Sequence, residues 1–82
     1  NSATKSLARE VASRGITVNA VAPGIIDTPM SKTAFDAPEI ARLVPMKRAG
    51  SPDEVADLIG FLASPQAAYI TGQIISINGG MI

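Results

Sequence analysis

The chain has 82 residues, with seven basic and seven acidic side chains, 46% apolar and 17% charged content, and neither cysteine nor histidine. That composition suits one small globular domain and excludes a disordered chain, disulfides, thiol or histidine catalysis and most zinc sites; the balanced charge leaves no long-range attraction for nucleic acid or an anionic membrane. No apolar run approaches the roughly 20 residues that span a bilayer, and the opening "NSATKSLAREVASRG" lacks the apolar centre of a signal peptide, so a soluble, cytoplasmic protein is expected.

The first residues read as the start of a helix without a leading methionine, which predicts that further sequence precedes them. In residues 6–14, Leu7 with Val11 and Ala8 with Ala12 fall at helical spacing, with Arg9, Glu10 and Arg14 on the other side. Gly15 ends that helix as a left-handed cap. Residues 16–22, "ITVNAVA", are β-branched with Asn19 as the one strongly polar member, which predicts a strand buried on both faces, as in a parallel sheet, closed by Pro23.

A short helix is expected over residues 37–44, because Asp36, Pro38 and Glu39 supply its start, and the surrounding stretch reads as loop. Residues 51–65 are clearer: Ser51 is an N-cap, Pro52 the first helical position and Glu54 the partner in a capping box. Val55, Leu58, Ile59 and Leu62 then form one apolar stripe. A second strand is expected over residues 73–77, ended by Gly79 and Gly80.

Two apolar strands joined through helices make a right-handed βαβ unit. Two strands are not a sheet, however, and strands buried on both faces need neighbours along their edges. The pattern predicts an α/β fold, the last third of a doubly wound parallel sheet that is incomplete in this chain, as one partial domain over residues 1–82.

Ligands of open parallel sheets sit outside the carboxyl ends of strands, where Pro23 and Gly24 lie. Gly24 would let a ligand approach the backbone, the amides of Ile25 and Ile26 would be available as donors, and Thr28 would offer a hydroxyl. The alternative is a loop that satisfies its own backbone, with Asp27 and Thr28 capping a local turn.

The segments "SLAREVASRGITVNAVAPGIIDTPM", "RAGSPDEVADLIGFLAS" and "AAYITGQIISINGG" resemble, in order and spacing, the C-terminal part of the short-chain dehydrogenase/reductase family, and within it the 3-oxoacyl-[acyl-carrier-protein] reductases of fatty acid biosynthesis. The resemblance implies a Rossmann-like three-layer αβα fold and reduction of a ketone, either a small molecule or a 3-oxoacyl group on acyl carrier protein, with NADP or NAD, of which NADP is favoured. It places Pro23, Gly24, Ile26 and Thr28 beside the nicotinamide, with Ile26 contacting the carboxamide through its backbone and Thr28 holding the carboxamide or diphosphate through its hydroxyl.

The same resemblance makes residues 29–48 a variable substrate lid. Met30, Phe35, Ile40 and Leu43 are its candidates to face a substrate, with helix packing the plainer role of the last two, and Arg48 is read as structural. It implies a homo-oligomer, a tetramer in the family, that associates through residues 52–63 and 73–77.

The family's chemistry also requires a Tyr-x-x-x-Lys pair and an upstream serine. Tyr69 matches a structural aromatic of the family instead. The opening "NSATK" allows two alignments. If it stands for the family's "YSATK", Asn1 replaces the acid and Lys5 is the catalytic lysine, at the expense of a deletion; if the alignment is ungapped, Lys5 is the ordinary lysine before "SLARE". The first glycine-rich phosphate loop and the residue that selects NAD or NADP have no counterpart in the chain. A related dehydrogenase of sugars, steroids or small alcohols, or a non-catalytic remnant acting as an association module, are the alternative readings.

Overall fold

A computed structural model describes residues 1–81. The order of elements is α1 (Ser2–Val11), a 3₁₀ turn (Ala12–Arg14), β1 (Ala20–Pro23), α2 (Pro29–Ala34), α3 (Ala37–Leu43), α4 (Pro52–Leu62), a second 3₁₀ turn (Pro65–Ala67) and β2 (Ile74–Ile77). The chain divides into two compact units. One comprises Asn1–Val21 with Asp57–Ile75, and the other Ala22–Ala56 with the stretch from Ser76 onward.

In the first unit, α1 begins four residues earlier than its apolar spacing predicts. Asn1 is the reason: its Oδ1 accepts the Thr4 amide at 2.9 Å, satisfying one of the donors left open by the first turn. The last turn tightens to 3₁₀ geometry, and Gly15 takes the expected left-handed cap at φ 73°. Residues 16–19 do not join the ladder. They are held by one backbone bond, the Gly72 amide donating to the Val18 carbonyl at 2.8 Å, and by side chains: Val18 N–H donates to Thr71 Oγ1 at 3.0 Å, while Asn19 donates to the Ile70 carbonyl at 3.0 Å and accepts the Gln73 amide at 3.1 Å. Asn19 thus serves as a clip between two chain segments.

β1 and β2 are hydrogen-bonded neighbours. Their partners advance together, from Ala20 N–H with Gln73 O to Gly24 N–H with Ile77 O, so the pair is parallel. This register explains why Pro23 closes β1 from within the strand rather than beyond it. Ala20 and Gly24 turn their amides toward β2, and Pro23, at the opposite parity, has no donor to supply there. Burial of both strand faces is not observed: Ala22, Pro23, Ile74 and Ser76 are exposed, because two strands alone cannot cover one another's faces.

The second unit holds the clearest local coding. Ser51 Oγ accepts the Glu54 amide at 3.1 Å and Glu54 returns a carboxylate oxygen to the Ser51 amide at 2.9 Å, the predicted capping box. Asp36 caps α3 through the Glu39 amide. α2 replaces an expected loop: Thr28 and Ser31 form a second capping box, with Pro29 at the first helical position. Ala8 and Ala67 in the first unit and Val44 in the second are the buried apolar side chains among the described residues. The α4 stripe is only partly covered, with Ile59 52% exposed.

Candidate functional site

The second unit contains the whole loop that follows β1. At its start, Gly24 donates to the Ile77 carbonyl at 3.0 Å, and a Cβ placed on Gly24 would stand 2.7 Å from the Asn78 Cβ. The neighbour that approaches the glycine is therefore the Asn78 backbone and side chain. Pro23 is exposed beside it.

Residues 25–27 pair with Gly50 through a parallel bridge. Gly50 N–H donates to the Ile25 carbonyl at 2.9 Å, and Asp27 N–H donates to the Gly50 carbonyl at 2.7 Å. A parallel bridge of this pattern uses the groups that flank Ile26 and turns the Ile26 N–H and C=O to the opposite edge. Among the described residues neither group finds a partner. The Ile26 side chain packs toward Gly50, where an added Cβ would lie 3.1 Å from its Cδ1.

Thr28 is both a cap and a free hydroxyl donor. Its Oγ1 accepts the Ser31 amide at 3.2 Å, its own amide donates to Ser31 Oγ at 2.9 Å, and Ser31 Oγ donates back to the Thr28 carbonyl at 3.0 Å. The Thr28 hydroxyl proton has no acceptor among the described residues. The two readings of this residue, turn cap and ligand donor, therefore use different sides of the same oxygen. Together Ile26 and Thr28 offer two donors and one acceptor, which complements a primary carboxamide, itself two N–H donors and a carbonyl acceptor.

Arg48 is exposed and paired with Glu54. Its guanidinium forks onto Glu54 with Nη1 to Oε1 at 2.7 Å and Nη2 to Oε2 at 3.0 Å, and Nη1 also reaches the Ala49 carbonyl at 3.1 Å. The Arg48 hydrogen bond, followed by the Ser51 amide, holds the Glu54 carboxyl well below its ordinary value, at about 2; the same contact raises Arg48 further.

A hollow of about 360 Å³ is lined by Ile25, Ile26, Gly50, Glu54, Asn78 and Gly79 among others. It lies on the Gly50 side of Ile26 and includes none of Pro23, Gly24 and Thr28. A second hollow of about 500 Å³ is lined by Phe35 and Ile40 together with Asp27, Lys32, Lys47 and Arg48. Of the four apolar residues named as candidates between residues 29 and 48, Phe35 and Ile40 thus face a concavity, whereas Met30 projects at 81% exposure and Leu43 is exposed.

Lys5 belongs to the first unit. It sits on α1, exposed, with Nζ donating to the Gly72 carbonyl at 2.9 Å. Asn78 and Gly50 are the positions that sequence reasoning passed over. The Asn-Gly-Gly run directly after a strand was the available signal for the first, and nothing local marks the second.

Known proteins resemble this arrangement closely. The family model described as enoyl-(acyl carrier protein) reductase matches residues 1–82. The 3-oxoacyl-[acyl-carrier-protein] reductase FabG of Vibrio cholerae is 59% identical over 80 residues, covering 95% of this chain and 33% of the relative. Its Escherichia coli namesake is 55% identical over the same share of this chain. The chain spans about a third of the length of the curated relatives it matches. A mutant short-chain dehydrogenase/reductase of Serratia marcescens matches 98% of this chain and 33% of its own with a TM-score of 0.89 at 43% identity, and so carries the same Rossmann-like α/β arrangement. Matched along its whole length by the family model and in backbone by a solved relative, the chain belongs to the short-chain dehydrogenase/reductase family and is similar to its 3-oxoacyl-[acyl-carrier-protein] reductases.

Proposed function

We propose that the intact protein is an NAD(P)-dependent oxidoreductase that reduces a 3-oxoacyl group on acyl carrier protein to the 3-hydroxyacyl form, and that Pro23, Gly24, Ile26 and Thr28 form the nicotinamide side of its cofactor site. The names of relatives at 54–59% identity support the reaction. The observation that carries the site is the N–H and C=O of Ile26, unpaired among the described residues and turned away from Gly50 at the carboxyl end of β1.

In this reading Ile26 binds a carboxamide through both backbone groups and Thr28 adds its hydroxyl proton. Gly24 and Pro23 act by shape: the first lets Asn78 close on the loop, and the second ends the ladder so that the chain turns out at Gly24. The dinucleotide, when bound, supplies the hydride. NADP is the favoured form over NAD, by resemblance. Lys5 has the catalytic lysine's place under the alignment with "YSATK", and a supporting contact to Gly72 under the ungapped one. We place the protein in the cytoplasm as a homo-oligomer associating through α4 and β2; no helix among the described residues is long and apolar enough to cross a membrane.

The family description favours a second reading, reduction of the carbon–carbon double bond of an enoyl thioester. Oxidation of NADPH by the intact protein, measured with a 3-oxoacyl thioester and with a 2-enoyl thioester, separates the two. Turnover of the first supports the proposal, turnover of the second alone replaces it, and failure to bind either dinucleotide removes the cofactor site.

A further inference from the structure

Gly50 joins two peptide planes, and each plane is gripped at both ends. In the plane between Ala49 and Gly50, the Ala49 carbonyl accepts from Arg48 Nη1 at 3.1 Å and the Gly50 amide donates to the Ile25 carbonyl at 2.9 Å. In the plane between Gly50 and Ser51, the Ser51 amide donates to Glu54 Oε1 at 2.9 Å and the Gly50 carbonyl accepts from Asp27 at 2.7 Å. The forked contact between Arg48 and Glu54 locks the two outer grips to each other.

A peptide unit is rigid and its C=O and N–H point in opposite directions, so fixing one end of each plane aims the other. From this arrangement we infer that Arg48 and Glu54 are positioning residues for Ile26: their ion pair orients both peptide planes of Gly50, and these hold residues 25–27 so that the free N–H and C=O of Ile26 face outward. The geometry stands by itself, and its use in cofactor binding rests on the function proposed above. Neither side chain touches the ligand in this scheme. Glu54 also caps α4, which is why the pair could pass for a helix-end contact alone.

Residue-resolved amide exchange of the intact protein tests the inference, because the two inner grips are the amides of Gly50 and Asp27. In Arg48→Lys, which lacks the fork and the reach to the Ala49 carbonyl, Gly50 should exchange about tenfold faster, the scale of one charge-assisted hydrogen bond, with Asp27 less affected. In Glu54→Ala both should accelerate. Glu54→Gln keeps an acceptor for Ser51 and a cap for α4, so it should show the Arg48→Lys pattern and keeps the test decisive if Glu54→Ala fails to fold. Val44 and Met46, in the same unit and bonded to Ile40 and Gly79, serve as the reference amides. Acceleration equal at all four amides, or absent at Gly50, overturns the inference.

Titration of the same variants with NADPH gives the second readout. A Kd raised several-fold in Arg48→Lys together with selective exchange at Gly50 supports the positioning role, and an unchanged Kd beside a tightly binding wild type overturns it. No NADPH binding by the wild type, with the selective exchange intact, instead defeats the cofactor assignment and leaves Arg48 and Glu54 as the residues that orient Ile26.

Discussion

Gly24 and Asn78 lie so close that a single added carbon on the glycine would stand 2.7 Å from the Asn78 Cβ and 3.0 Å from its Cα. The obstacle is backbone and the root of a side chain, neither of which can swing aside. Gly24→Ala is therefore expected to lower stability by about 1–3 kcal/mol, as overpacking does, with the loop after β1 displaced. Denaturant unfolding of the intact protein measures it; an unchanged midpoint would mean that the end of β2 yields freely.

Thr28 carries two roles that can be separated. Thr28→Val removes the cap of α2 and the hydroxyl proton together, so stability should fall by about 0.5–2 kcal/mol. Cofactor binding should weaken by roughly 0.5–1.5 kcal/mol, the worth of a neutral hydrogen bond. Ser31→Ala breaks the same capping box and leaves the Thr28 hydroxyl in place, so it should lower the melting temperature without matching the loss of affinity. Thermal melting and dinucleotide titration of both variants decide the matter, and equal affinity losses would assign Thr28 to the cap alone.

Acid should loosen the contact between Arg48 and Glu54 late. The Glu54 carboxyl titrates at about 2, below its ordinary 4.5, so its folded-state value is depressed. Its stabilising contribution is complete above the ordinary value and is lost as pH falls through the folded one. Melting temperatures of wild type and Glu54→Gln should differ at neutral pH and converge between pH 4.5 and about 2. A gap that persists unchanged to the acid end would show that the charge contributes nothing.

Lys5 is tested by Lys5→Met in the intact protein. If its bond to the Gly72 carbonyl is its role, stability should fall by no more than about 1 kcal/mol, since the contact is exposed, and turnover should hold. Loss of turnover with little change in stability would instead support the catalytic alignment.

The elements read most directly from sequence are those whose instructions are adjacent. Ser51, Pro52 and Glu54 lie within one turn and state the start of α4; Gly15 likewise states the end of the α1 region. α2 was missed because it is one short turn-and-a-half with no apolar stripe, and its start depends on Ser31 answering Thr28 rather than on an acidic residue. The strand limits were missed because they are set by pairing. Asn19 leaves the ladder to clip residues 70 and 73, and Pro23 enters it by parity with β2. The candidate site was legible as a place, the carboxyl end of β1, but the reasons for its residues were not. Gly24 answers to Asn78 and Ile26 answers to Gly50, both far along the chain.

The turn that follows β2 also bears on chemical ageing. Asn78 donates through Nδ2 to the Met81 carbonyl and accepts the Gly80 amide at 3.0 Å, while Gly79, at φ 62°, leaves room beside Val44 that no side chain could share. Hydrolysis of the Asn78 side-chain amide would put a carboxylate, which donates nothing, against the Met81 carbonyl. The residue that closes on Gly24 would then repel its own turn. Material stored under deamidating conditions should lose the order of the loop after β1 before it loses its helices, so the protein's shelf life is written in a turn that abuts the candidate site at Gly24.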